Sequence, residues 1–259
     1  MKKDFYNNGF TDIFKLNLGN TLINLQNKIY NCTKELIVEH NPDIGLDQKI
    51  KLPFKRIPDG IKWSEIMNKI NDSHELKNLI NSKEIIEKFK SIFKKPKKFN
   101  ICFFRARFPG QKRAIYNWHQ DEGTWYMSND EKNLNKYTAT LWFSINGADK
   151  YDSIQLIENS HKNILYDHVY NKGQGYFSAK LKKFKFDRDL IYTVETRPSE
   201  AIIFHPLTLH RSVPCVRKEF RPRYSIDMRY YDENKKLSYK TNFLFKLKKK
   251  YGRVKKWIT

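Results

Sequence analysis

Hydrophobic spacing divides the chain into two textures. In "TDIFKLNLGNTLINLQNKIYNCTKELIVEH" (11–40), Ile13, Phe14, Leu16, Leu18, Leu22, Ile23, Leu25 and Ile29 fall roughly on one helical period, and Gly19 marks a break. "DSHELKNLINSKEIIEKFKSIFKK" (72–95) opens with Asp72 and Glu75 at capping distance. It then repeats apolar residues at Leu76, Leu79, Ile80, Ile85, Ile86, Phe89, Ile92 and Phe93. A proline-containing loop, "LPFKRIPDG", lies between these helices. The run 94–98, with Pro96, ends the helical part.

From residue 99 the pattern changes to short β segments separated by turns: "FNICFFRARF", "YTATLWFSI", "SIQLIE", "LIYTVE", "EAIIFHPLTLH" and "RYSIDMRYY". Such a succession predicts a mainly β sandwich or barrel with an α-helical N-terminal elaboration. We expect a single domain over 1–259, with a helical elaboration at 1–98, the β core at 99–231 and a basic C-terminal segment at 232–259. No internal repeat is visible.

Composition narrows the class. A chain of 259 residues can bury a large core, and 15% aromatic content argues against disorder. The formal net charge is +22. Many lysines solvate a surface in any case, but such a balance also favours anionic partners. Cys32, Cys102 and Cys215 are odd in number, widely spaced and without a CxxC pair, which fits free thiols in a reducing compartment. The N-terminus lacks an apolar signal core. No apolar run approaches the roughly 20 residues of a membrane span. The expected location is the cytoplasm.

Candidate chemistry begins at "NWHQDEGTWY" (117–126). If these residues are extended, His119 and Asp121 face the same way. One imidazole and one carboxylate are two-thirds of a facial iron triad, which needs a second histidine. An isolated HxD is more often structural than metal-binding. Of the other histidines, His40 and His74 fall in the helical part, and His161 and His168 in a loop. His205, before Pro206 in an apolar run, reads as a satisfied near-core residue. His210 follows the strand "AIIF" and the turn "HPLTL", which suits entry from a second strand.

The order "WHQD", then a strand, then "DSIQLIENSHK", then "HRS" and "RPRYSIDMRYY" resembles the phytanoyl-CoA dioxygenase family of Fe(II)/2-oxoglutarate-dependent oxygenases. The likeness covers about 99–231, half of the chain, and "FYNNGFTDI" resembles the family's opening more weakly. Ser153 and Asn159 stand where the family usually has glycines. The resemblance implies a double-stranded β-helix, or jelly-roll, core. It implies Fe(II) on His119, Asp121 and His210, with 2-oxoglutarate and dioxygen as cosubstrates and a small molecule as substrate. Because Asp121 is retained where related halogenases lack the carboxylate, hydroxylation is the implied outcome. Desaturation, epimerisation and ring formation stay open.

An arginine suits the distal carboxylate of 2-oxoglutarate, since its planar fork binds a carboxylate bidentately. Arg221 is nearer the family's spacing from His210, whereas Arg223 opens the strand "RYSIDMRYY". Strand register favours Arg223. Ser212 and Trp142 are expected to line the cosubstrate pocket. Trp118, Trp125, Tyr126 and Arg107 are candidates for the substrate wall, each with a plain packing or surface role as its rival. A non-enzymatic reading stands beside this one. In it the basic tail, with "KLKKKYGRVKKW" and its interleaved aromatics, binds nucleic acid or an acidic surface. No recognised nucleic-acid motif supports it.

Overall fold

The computed structural model describes residues 1–38, 43–56, 58–108, 115–128, 135–162, 164–171, 176–179, 187–213 and 221–241. His40, Cys215 and the tail "KLKKKYGRVKKW" lie outside them.

The N-terminal part is helical: α1 (Lys2–Asn8), α2 (Asn20–Thr33), α3 (Leu46–Lys49), α4 (Gly60–Asn71), α5 (His74–Ile80) and α6 (Lys83–Lys90), with α7 (Asp121–Ser128) further on. Two expectations shift by short distances. The helical period through Ile13–Leu18 does not form a helix. Phe14 and Lys15 pair instead with Ala201 and Glu200, and the helix starts only after Gly19, at φ 48°. The cap expected at Asp72 is made by Ser73, whose hydroxyl accepts from the Leu76 amide at 3.2 Å, while Asp72 closes α4. Gly9, at φ 91°, ends α1 in the left-handed conformation that costs glycine little.

The strands are β1 (Phe14–Lys15), β2 (Pro96–Arg107), β3 (Lys136–Ser144), β4 (Ile154–Ile157), β5 (Ile164–Leu165), β6 (His168–Asn171), β7 (Tyr176–Ala179), β8 (Ile191–Thr193), β9 (Glu200–Phe204), β10 (His210–Ser212), β11 (Arg223–Lys236) and β12 (Lys240–Thr241). Strand β2 begins at Pro96, three residues earlier than its sequence suggested. It is the sheet edge, where lysines and a proline are tolerated.

An antiparallel five-stranded sheet runs β1-β9-β3-β11-β2, and a three-stranded sheet runs β10-β4-β8. Alternation sorts the large sheet into two faces. Leu141, Phe143, Ile203, Tyr224, Ile226 and Met228 point outward and bury the apolar stripes of α2, α4, α5 and α6. Phe89 on α6 stacks on Tyr230 with ring centroids 4.1 Å apart. The other face carries Trp142, Ile202 and Phe204, packed with Ile154 and Leu156 of the small sheet. The result is the jelly-roll core with helices on its outer face. Among the described residues no helix is long and apolar enough to cross a membrane.

Candidate active site

The mouth between the sheets is a cavity of about 960 Å³. His119 and His210 meet there as a single antiparallel bridge. The His119 amide donates to the His210 carbonyl at 2.9 Å, and the His210 amide to the His119 carbonyl at 3.0 Å. This pairing sets the two imidazoles side by side, with centroids 4.0 Å apart. Each ring is oriented the same way. His119 Nδ1 lies 2.8 Å from the Asn117 carbonyl, and His210 Nδ1 lies 2.9 Å from the Thr208 carbonyl. A carbonyl only accepts, so each Nδ1 carries the proton and each Nε2 keeps its lone pair.

Asp121 reaches the site differently from the strand geometry read from HxD. The chain leaves extended structure after His119, and Asp121 is the first residue of α7. Its carboxylate still faces the imidazoles, with Oδ1 3.9 Å from His210 Nε2. Ligand atoms of His119, Asp121 and His210 all lie within 4.8 Å of one another, a spacing that can hold one metal ion. Gln120 points away from the site. Its amide nitrogen donates to the carbonyls of Ile164 and Leu207, and its oxygen accepts from the Tyr166 amide.

Electrostatics prepare this donor set. Burial pushes both imidazoles below their usual range. For His119 the neighbouring His210 adds to the shift, and for His210 the nearby Asp121 opposes it. Burial works to raise the Asp121 carboxyl, but Arg229 and, after it, the neighbouring His210 and His119 together outweigh it and hold Asp121 well below the carboxylate range. Arg229 Nη2 donates to Oδ1 at 2.8 Å and Nε to Oδ2 at 3.1 Å, while the Thr140 hydroxyl donates to Oδ2 at 2.5 Å. Two neutral imidazoles and one ionised carboxylate are what a divalent ion requires.

Arg229 and Thr140 were not singled out from the sequence. The signal was present in "RYSIDMRYY", where Arg223, Ser225, Asp227 and Arg229 alternate with Tyr224, Ile226, Met228 and Tyr230. The first set faces the cavity side and the second packs against the helices.

Arg223, Ser212, Trp142, Trp125 and Arg107 line the cavity. Arg223 is 3% exposed, with its guanidinium 5.4 Å from the Trp142 ring. Its Nε donates to the Asp152 carbonyl at 3.1 Å and Nη1 to the Ser225 hydroxyl. Burial, and then Arg107, paired opposite it on β2, push Arg223 down to about 9. Arg221 is less buried and does not line the cavity.

Trp118 and Tyr126 are not brought to the cavity. Trp118 packs with Ile157, Tyr166 and Leu209, under the Arg211 guanidinium at 4.6 Å. Tyr126 sits one residue after Trp125 on α7, about 100° around the helix, and joins Leu165 and Leu207. His205 is buried and satisfied. It accepts from the Leu207 amide at Nδ1, and Nε2 is 3.2 Å from the Tyr137 hydroxyl. His168, expected in a loop, lies on β6. It is buried behind the site, where its Nε2 accepts from the Gln120 amide at 3.0 Å.

The same architecture occurs in several solved structures. The apo form of the non-heme monooxygenase ThoJ superposes with a TM-score of 0.57 at 12% identity, covering 98% of this chain and 94% of that one. EvdO2 from Micromonospora carbonacea var. aurantiaca, complexed with 2-oxoglutarate, gives 0.53 at 14% identity, with 92% and 91% covered. The non-heme alpha ketoglutarate dependent carbocyclase SnoK from nogalamycin biosynthesis gives 0.57 at 12%, with 95% and 88% covered. At these identities the likeness is one of fold. Among curated proteins none matches the chain. The sequence itself matches the phytanoyl-CoA dioxygenase (PhyH) family over residues 59–221. That span exceeds half of the 259 residues, and the chain belongs to the phytanoyl-CoA dioxygenase family.

Proposed function

We propose that this protein is a mononuclear non-haem iron oxygenase that uses 2-oxoglutarate and dioxygen to hydroxylate an unactivated C–H bond of a small polar or anionic metabolite. The observation that carries this reading is the convergence of His119, Asp121 and His210 ligand atoms within 4.8 Å, in the protonation states that a divalent cation needs. Iron held there, with its cosubstrates, supplies the oxidising power for C–H cleavage while 2-oxoglutarate goes to succinate and carbon dioxide.

The chain's own residues do the rest. The Asn117 and Thr208 carbonyls hold the imidazole protons away from the metal side. Arg229 and Thr140 fix the Asp121 carboxylate by three hydrogen bonds. Arg223 presents a buried cation to which no carboxylate is paired among the described residues, and it anchors the distal carboxylate of 2-oxoglutarate. Ser212 and Trp142 line that end of the cavity, and Arg107 adds positive charge beside Arg223. Trp125 and Phe204, both buried, contribute apolar wall, which excludes water from the oxidising centre.

Five arginines (105, 107, 211, 223, 229) and two aspartates (121, 227) on the cavity wall give an excess of three positive charges before metal binds. A dianionic cosubstrate balances two charges and a divalent metal restores two, which favours a polar or anionic substrate. Retention of Asp121 as a ligand favours hydroxylation over halogenation.

Anaerobic titration of the protein with Fe(II) and 2-oxoglutarate tests the reading. We expect a weak visible charge-transfer band, lost in His119→Ala. No band in the wild type, or a full-strength band in His119→Ala, rejects it. Product analysis after substrate-stimulated succinate release separates hydroxylation from ring formation and epimerisation, reactions named for SnoK and for the nogalamycin-pathway epimerase SnoN of similar fold.

A further inference from the structure

One polar cluster in the cavity wall has no task in the reading above. Arg105 on β2 donates from Nε to Asp227 Oδ2 on β11 at 2.5 Å, and from Nη1 to the Tyr116 hydroxyl at 3.0 Å. The guanidinium is held between two rings, with Cζ 4.8 Å from the Phe103 centroid and 4.9 Å from that of Tyr116. No hydrogen bond among the described residues reaches Arg105 Nη2 or Asp227 Oδ1. The two side chains are partly open, at 32% and 14% exposure, and both line the cavity.

Strand pairing runs through the backbone, so the register of β2 and β11 does not depend on this partly exposed pair. Its place is informative. Asp227 is one two-residue step along β11 from Arg229, about 7 Å, and Arg229 grips Asp121. The Tyr116 ring is 5.9 Å from the His119 ring. The cluster therefore stands on the cavity wall one strand step from the arginine that grips Asp121.

We propose that Arg105, Asp227 and Tyr116 are a substrate-recognition cluster for a hydroxylated molecule, such as a vicinal diol or a sugar-like ring. Asp227 already matches the Arg105 charge, so the pair attracts no net charge. It leaves one donor nitrogen on Arg105 and one acceptor oxygen on Asp227 without a hydrogen bond among the described residues. A hydroxyl both donates and accepts, and two adjacent hydroxyls complement this edge. A carboxylate has only acceptors and would face Asp227. The inference rests on the cavity being an oxygenase substrate pocket, and it narrows "polar or anionic" to hydroxyl-bearing.

The test uses the full chain with Zn(II) and saturating 2-oxoglutarate, so that Arg223 is not offered to the probe. Ligand-observed NMR titrations compare cis-1,2-cyclohexanediol with cyclohexanecarboxylate. We expect the diol to bind about tenfold more tightly, equivalent to about 1.4 kcal/mol. In Arg105→Met and Asp227→Asn the ratio should fall to within about twofold. Tyr116→Phe removes one hydroxyl and keeps the test open if the charge variants fail to fold, and there the ratio should drop about threefold. Equal or tighter carboxylate binding, or a diol preference unchanged in Tyr116→Phe and Arg105→Met, overturns the proposal. The Fe(II)–2-oxoglutarate band of the wild type reports on the oxygenase reading separately. A band without diol preference rejects the cluster alone, and diol preference without a band rejects the oxygenase alone.

Discussion

Replacing Arg229 by methionine keeps most of the side-chain volume and removes the only cation bonded to Asp121 among the described residues. Both partners are buried, with side chains 9% and 6% exposed, and the contact is bidentate at 2.8 and 3.1 Å. Removing one member of a buried pair strands the other as an uncompensated charge, which costs about 3–5 kcal/mol. For a chain of this size, 1 kcal/mol corresponds to about 2–4 °C, so Tm should fall by roughly 6–20 °C. Thermal unfolding followed by circular dichroism measures this directly.

Two further arms make the cause specific. Asp121→Asn together with Arg229→Met removes both charges, so the double variant should lose about 1–3 kcal/mol less than the sum of the single losses. Mn(II) places positive charge back on Asp121, so the metal-induced rise in Tm should be larger in Arg229→Met than in the wild type. A loss under about 1 kcal/mol, the range of a surface pair, would refute the reasoning. So would strict additivity in the double variant.

The other expectations concern the surroundings of the site. Burial depresses His205 to about 3 and His168 to about 4, below the usual unfolded value near 6.5. Their neutral forms stabilise the fold fully above about pH 6.5, and that stability is lost as pH falls toward these values, by up to about 1.4 kcal/mol per pH unit for each. Urea unfolding at pH 7.5 and 4.5 should show His205→Gln losing about 2–3 kcal/mol less over this interval than the wild type; an equal loss contradicts a neutral His205. Gly123→Ala would set a Cβ 2.1 Å from His168 Cε1, so Tm should drop by several degrees, whereas a gain, the ordinary result of Gly→Ala in a helix, would exclude this close packing. At about 100 times its Kd, 2-oxoglutarate with Mn(II) should stabilise the wild type and Arg221→Ala by about 2.7 kcal/mol, read as a rise in Tm. Arg223→Met should lose that rise, and loss in Arg221→Ala instead would reassign the anchor.

The sequence carried more of the core than of the site's supports. The strands "YTATLWFSI", "EAIIFHPLTLH" and "RYSIDMRYY" were legible because alternation on a half-buried face is a local signal. His210 could be paired with His119 only through motif order, since 91 residues separate two side chains that a single bridge joins. The turn into α7 at Asp121 was missed because His-x-Asp suits a strand and a helix start equally well. An aspartate in a first helical turn is itself favourable there. Trp118 and Trp125 looked alike in sequence, and only the course of the chain around His119 sends one to a core and the other to the cavity.

Strand β11 shows why the remaining supports escaped notice and why they act together. Its cavity face puts Arg223, Ser225, Asp227 and Arg229 at two-residue steps, so the proposed cosubstrate anchor, the proposed recognition cluster and the grip on Asp121 share one register. The pairing of β11 with β2 shifts between Met228 and Tyr230, which leaves Arg229 without a partner on that strand, while on β3 it faces Thr140. Bulges of this kind re-aim side chains, and Arg229 and Thr140 both reach Asp121 across the cavity. A slip of one residue in β11 would turn Tyr224, Ile226 and Met228 into the cavity and bury four polar side chains under the helices. The apolar packing of the helices on the outer face thus opposes any slip, and the same packing fixes the spacing of the charged groups on the inner face.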